Sequence, residues 1–115
     1  MIEKLSVLQA RFVFELANLI LYAHAVGYTV TLGRGFVTPK ENAADGGIDG
    51  SLHTLGLAQD LNFFKDGVYL TKTEDLKIFG DRWKRNGPEY SWGGDFQGKN
   101  AGDANHYSYA YGGRK

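Results

Sequence analysis

Four side chains of this 115-residue chain have the types that hold and use a divalent cation: His53, Asp60, Asp103 and His106. Histidine and aspartate bind zinc through imidazole nitrogen and carboxylate oxygen at about 2.0–2.2 Å. Three protein ligands leave a fourth position for a water, which the metal acidifies toward neutrality. Such a site also needs a carboxylate that takes the water's proton and passes it to the leaving group. Asp103, three residues before His106, can do this if the chain turns ahead of the strand carrying His106. Each pair has a plainer reading. His53 and Asp60 lie seven residues apart and would face opposite sides of a straight strand. They converge only where the chain bends, for which Gly56 is the place. Otherwise they are a loop histidine and a solvated aspartate. His106 can equally end a polar strand, with Asp103 in a glycine-rich turn.

The elements that must position these residues follow from patterning. Leu5, Leu8, Phe12, Leu16, Leu19 and Val26, widened by Val13 and Ile20, predict a helix from Met1 to Val26, stopped by Gly27. A strand follows at Tyr28–Leu32. Thr38-Pro39-Lys40-Glu41 starts a short helix, with threonine as cap and glutamate three residues on. Ala58, Asp60, Asn62 and Phe64 alternate with Gln59, Leu61 and Phe63 as a strand. Lys65-Asp66-Gly67 turns it into a returning Val68-Tyr69-Leu70. Thr73 caps a helix from Glu74 to about Asn86, with acids in its first turn and Lys84 and Arg85 in its last. Gly87-Pro88 stops it. Trp92-Gly93-Gly94 is a tight segment, Asn105 to Tyr111 a final strand, and Gly112-Gly113-Arg114-Lys115 a frayed tail. This order predicts an α+β domain with a small, mainly antiparallel sheet flanked by helices.

Composition bounds the rest. The length suits one domain, and 43% hydrophobic with 14% aromatic residues supplies a core without disulfides. Zero cysteines exclude a disulfide scaffold, a thiolate zinc site and a cysteine nucleophile. Thirteen basic and thirteen acidic residues give zero net charge, which argues against a nucleic-acid binder. The most apolar stretch, Leu16 to Val26, is shorter than the roughly 20 residues of a membrane span. Arg11 and Glu15 interrupt what would be the apolar region of a secretory leader. Phe12, Phe63, Phe64, Phe79 and Trp83 are expected in the core. Tyr107, Tyr109 and Tyr111 share one face of the last strand, where they either line a groove or cover the sheet. His24, near the end of the first helix, is expected to suit its dipole rather than bind metal.

Taken together, the motifs are more specific than any one of them. Ser51-Leu-His53, then Asp60, then Trp92-Gly93-Gly94-Asp95-Phe96, then Asp103-Ala-Asn-His106-Tyr107 resembles the zinc D-Ala-D-Ala carboxypeptidase and L-alanyl-D-glutamate endopeptidase family of cell-wall metallopeptidases. That family shares its fold with lysostaphin-type enzymes and the Hedgehog signalling domain. The run from Ser51 to Leu70, with Thr73-Glu74 beyond it, is particularly similar to single-domain bacteriophage endolysins. The resemblance covers roughly Thr31 to Tyr109.

The resemblance implies a single catalytic domain over residues 1–115 that holds Zn2+ through His53, Asp60 and His106, although manganese or cobalt suits the same ligands. Asp103 would be the general base and later the acid. Ser51 would support the ligands or contact substrate. Trp92, Gly93 and Gly94 would shape the wall beside the metal, with Trp92, Tyr107 and Arg34 among the substrate contacts and Asp95 in a supporting role. The substrate would be the stem peptide of peptidoglycan, cut at the L-alanyl-D-glutamate bond, with D-Ala-D-Ala cleavage or a non-catalytic zinc-stabilised wall-binding module as alternatives. The protein would be a monomer without nucleic-acid partner or stable membrane insertion. It would be made in the host bacterial cytoplasm and reach the periplasmic wall after release by a holin. One departure stands out: many relatives carry an arginine before Thr-Pro, where this chain has Val37. Arg34, three residues earlier, either supplies that charge or is a solvated loop residue.

Overall fold

A computed structural model describes residues 3–47, 50–98 and 101–115. Helix α1 spans Leu5–Ala25 and buries Leu8, Phe12, Leu19 and Ala23 on one face. Met1 and Ile2, the expected start, lie outside the described residues. Val26, expected in the buried stripe, and Val13, expected to widen it, are exposed, as are Val7, Phe14 and Leu21. Val13 follows Phe12 by one residue and so turns away from the core. The helix is long and apolar enough to cross a membrane by length and composition, which the Leu16–Val26 stretch alone is not. Its inner face nevertheless closes the core, and Arg11 and Glu15 interrupt its middle.

Strand β1 (Thr29–Leu32) pairs antiparallel with β2 (Ala58–Lys65). The pairing runs on past β1, because Gly33 N–H donates to Asp60 O at 2.8 Å and Asp60 N–H to Arg34 O at 2.8 Å. Between these strands lies α2 (Pro39–Ala44), started by the expected reciprocal cap: Thr38 Oγ1 accepts from Glu41 N–H at 3.1 Å, and Glu41 Oε1 from Thr38 N–H at 2.9 Å. Asp66 and Gly67, at φ 52° and 78°, form the tight turn into β3 (Val68–Tyr69).

Helix α3 spans Thr73–Lys84. Thr73 is its first helical residue rather than its cap. Lys72 takes the cap position and forms no side-chain capping bond. The helix stops two residues before the expected Asn86. Strand β4 (Tyr90–Trp92) has no counterpart in the sequence reading, being too short to alternate visibly. Strand β5 (His106–Tyr109) is narrower than expected. The sheet order is β1-β2-β5-β4, with β3 also paired to β2, and every pairing is antiparallel. The architecture is the expected α+β class.

The core lies between the sheet and helices α1 and α3. Phe63 stacks on Phe79 at 4.2 Å, and Trp83 meets Phe12, Tyr90 and Tyr107 edge to face at 5.6, 5.1 and 5.9 Å. Trp83 is fully buried and its Nε1–H donates to Ser108 O at 3.1 Å. Phe64, expected in the core, is only half-buried and packs on Tyr69, because it points to the opposite face from Phe63. The same alternation decides where chemistry can sit. Phe63 and Tyr107 point toward the helices, so Asp60 and His106 emerge on the far face.

The expected fraying of the tail is corrected. Tyr111 and Arg114 exchange backbone hydrogen bonds at 3.1 and 3.0 Å across Gly112-Gly113, which take φ 57° and 79°. Two successive positive φ angles make a tight turn that glycine adopts without a side-chain clash.

Candidate metal centre

His53 is carried by a 3₁₀ turn at Leu52–Leu55. Ser51 caps that turn, its Oγ accepting from His53 N–H at 3.3 Å and its carbonyl from Thr54 N–H at 3.0 Å and the Thr54 hydroxyl at 2.6 Å. Gly56, at φ 67°, ends the turn and supplies the bend that lets His53 face Asp60. The imidazole is oriented from behind by Gly35, whose carbonyl lies 3.0 Å from Nδ1. A carbonyl only accepts, so Nδ1 carries the hydrogen and the Nε2 lone pair is left free toward Asp60.

Asp60 on β2 and His106 on β5 are direct partners across the ladder. Asp60 Oδ1 lies 3.4 Å from His53 Nε2 and 3.4 Å from His106 Nδ1. One ligand atom from each of the three residues falls within 4.8 Å of the others. Asp60 Oδ1 and His106 Nε2 are buried without a hydrogen-bond partner among the described residues. Burying a polar atom unpaired is costly, and a cation among these three side chains would satisfy the carboxylate oxygen. Two imidazoles and one carboxylate therefore fit a divalent metal of the zinc type. Burial works against ionisation of Asp60, but the two facing imidazoles outweigh it and hold the carboxyl down at about 2.

Asp103 precedes β5 in a turn closed by His106 N–H donating to Asp103 O at 3.0 Å. Its carboxylate is half-exposed, with Oδ2 3.9 Å from His106 Nδ1. Burial pushes this carboxyl up, the His106 imidazole pulls it back, and the Asp60 charge raises it further. The turn is pinned from below. Trp92 Nε1–H donates to Ala104 O at 2.8 Å, and Gly93 packs so closely that a Cβ there would sit 1.9 Å from Asp103 O and 2.8 Å from His106 Cβ. Gly93→Ala must therefore displace the turn that carries both a ligand and the carboxylate. We expect it to cost about 1–3 kcal/mol and to weaken metal uptake, read as a lower Tm and by metal titration.

These groups open into a cleft of about 600 Å³, lined among others by Arg34, Ser51, His53, Phe96, Asp103 and His106. Arg34 lies in its wall. Its Nη1 donates to Asp45 Oδ2 at 2.9 Å, and its Nη2 is buried without a partner among the described residues. Val37, at the position of the missing arginine, donates its N–H to His53 O at 3.2 Å. Two expected substrate contacts are corrected. Trp92 is 3% exposed and lies beneath the site, its ring so close to Gly80 of α3 that a Cβ there would meet it at 2.1 Å. Tyr107 is fully buried against Phe63 and Trp83, so the alternating tyrosines cover the sheet rather than line a groove. Asp95 is tied to Lys84 of α3 at 2.7 Å, and His24 is exposed at the end of α1. The sequence reading missed Gly35, which has no signature before its carbonyl is seen, and the site role of Phe96, whose ring lies 5.4 Å from that of His106.

No family model and no curated protein matches the chain in sequence. Solved structures are similar in fold. The L-Ala D-Glu endopeptidase ChiX of Serratia marcescens aligns with a TM-score of 0.61 and 17% identity, over 84% of this chain and 78% of that one. A mutant of the vancomycin resistance D,D-pentapeptidase VanY, from a VanB-type cassette and in complex with Zn(II), aligns with a TM-score of 0.55 and 21% identity, over 86% of this chain and 70% of that one. At these identities the likeness places the chain in the VanY-like peptidase fold.

Proposed function

We propose that this protein is a zinc-dependent peptidoglycan peptidase that hydrolyses the L-alanyl-D-glutamate bond of the stem peptide. The observation that carries the reading is the convergence of His53, Asp60 and His106, with a half-exposed carboxylate beside them in one cleft. Zinc held there supplies Lewis acidity for the attacking water and the scissile carbonyl. The chain supplies the remainder. Gly35 fixes the tautomer of His53. Asp103 takes the water's proton and delivers it to the departing amine, and its half-exposed place beside His106 suits both steps. Arg34, with one guanidinium nitrogen anchored on Asp45 and another without a partner among the described residues, donates to the substrate carbonyl and replaces the arginine missing at Val37.

The endopeptidase likeness in fold, together with the resemblance of the run from Ser51 to Leu70 to phage lysins, favours the L-alanyl-D-glutamate bond over D-Ala-D-Ala cleavage. The biological role that follows is that of a monomeric phage endolysin, made in the host cytoplasm and admitted to the periplasmic wall by a holin. The test is incubation of the zinc-loaded protein with a defined muropeptide and mass-spectrometric identification of the new amino terminus. A new D-glutamate amino terminus supports the reading. Release of D-alanine assigns D,D-peptidase activity instead. No cleavage with zinc bound leaves the non-catalytic wall-binding module.

A further inference from the structure

The bridged tail brings a cation into the cleft that no acid among the described residues answers. Gly113, Arg114 and Lys115 line the same cavity as His53, Asp103 and His106. The Tyr111–Arg114 bridge fastens this segment, and Tyr111 itself packs against the core. The Arg114 side chain lies across Gly50, where a Cβ would meet its Nη2 at 3.0 Å. Several other charges around the cavity are already matched. Arg34 holds Asp45, Lys84 holds Asp95, and Asp60 faces two imidazoles. Arg114 has no carboxylate partner among the described residues. A guanidinium presents paired N–H donors in the geometry of a carboxylate, and it is favoured where such a group must be recognised.

Resting on the peptidase reading, we propose that Arg114 is a specificity residue that binds a free carboxylate on the substrate residue contributing the leaving amine. The substrate class is then a peptide with an anionic residue just beyond the scissile amide. An isoglutamyl unit fits, because its chain continues through the side-chain carboxyl and leaves the α-carboxylate free. An isoglutaminyl unit, in which that carboxylate is an amide, offers no charge. Arg114 acts by binding and takes no part in proton transfer.

The experiment compares L-alanyl-D-isoglutamyl-L-lysine with its D-isoglutaminyl counterpart on the zinc-loaded parent, Arg114→Gln and Arg114→Lys. The parent is expected to prefer the acid peptide by roughly five- to tenfold in kcat/KM, the size of a partly solvated charge-assisted pair. Arg114→Gln should erase that preference through KM, while Arg114→Lys keeps part of it. An unchanged preference in Arg114→Gln, or an equal loss with both peptides, overturns the proposal. If the parent cleaves neither peptide, it is the peptidase reading that fails, and calorimetric binding of the two peptides then decides Arg114. A preference for the acid peptide that Arg114→Gln abolishes supports the assignment, and equal binding overturns it.

Discussion

Asp103→Asn is expected to lower kcat on a stem-peptide substrate by about 10²–10⁴-fold, the range spanned by general acid–base groups, while zinc content stays at the parental level. The amide has nearly the shape of the carboxylate but cannot accept the water's proton. Asp103 is half-exposed, and its turn is held by backbone bonds and by Trp92, so the fold does not depend on the charge. Asp95→Asn is the matched control. That carboxylate lines the same cleft but is tied to Lys84 at 2.7 Å, and its removal should leave most activity in place. Burial also sets the pH behaviour. Because burial pushes the Asp103 carboxyl up in the metal-free protein, its titration there should lie above the ordinary aspartate value and should be absent from Asp103→Asn. Equal activity of parent and Asp103→Asn would place the base elsewhere.

His53→Ala is expected to remove both zinc uptake and hydrolysis. Each of the three ligands is essential to a site this small, and the alanine leaves only Asp60 and His106. The companion measurement is thermal. A metal present at 100 times its Kd adds about 2.7 kcal/mol to the folded state, which for a domain of this size is a rise of roughly 8–15 °C in Tm. Zinc should give that rise in the parent and none in His53→Ala, and chelation should return the parent to the metal-free value. A zinc-dependent rise that survives in His53→Ala would mean the ion binds somewhere else.

What the sequence made legible was what depends on residue type and local chemistry. The reciprocal cap at Thr38 and Glu41, the Asp66-Gly67 turn and the bend at Gly56 each follow from a side chain or a glycine acting on its own neighbourhood. The three candidate ligands were legible through the resemblance carried jointly by Ser51-Leu-His53, Asp60 and Asp103-Ala-Asn-His106, since each pair alone left a plainer reading open. What stayed hidden depends on partners distant along the chain. Trp92 and Tyr107 carry the composition of binding residues, yet their burial is decided by Gly80 and by the helices on the other side of the sheet. The Gly35 carbonyl has no side chain to announce it. The tail was expected to fray because Gly-Gly reads as freedom, whereas across a bridged pair the same two residues allow a tight turn.

The direct pairing of Asp60 with His106 has a consequence for assembly of the sheet. A slip of one residue between β2 and β5 would send one of the two to the opposite side, and the ligand set would disperse. Capture of the ion thus rewards a single alignment of the central strands. Zinc supplied during refolding should act as a proofreader of strand alignment, raising the yield of native protein beyond what its later contribution to catalysis would require.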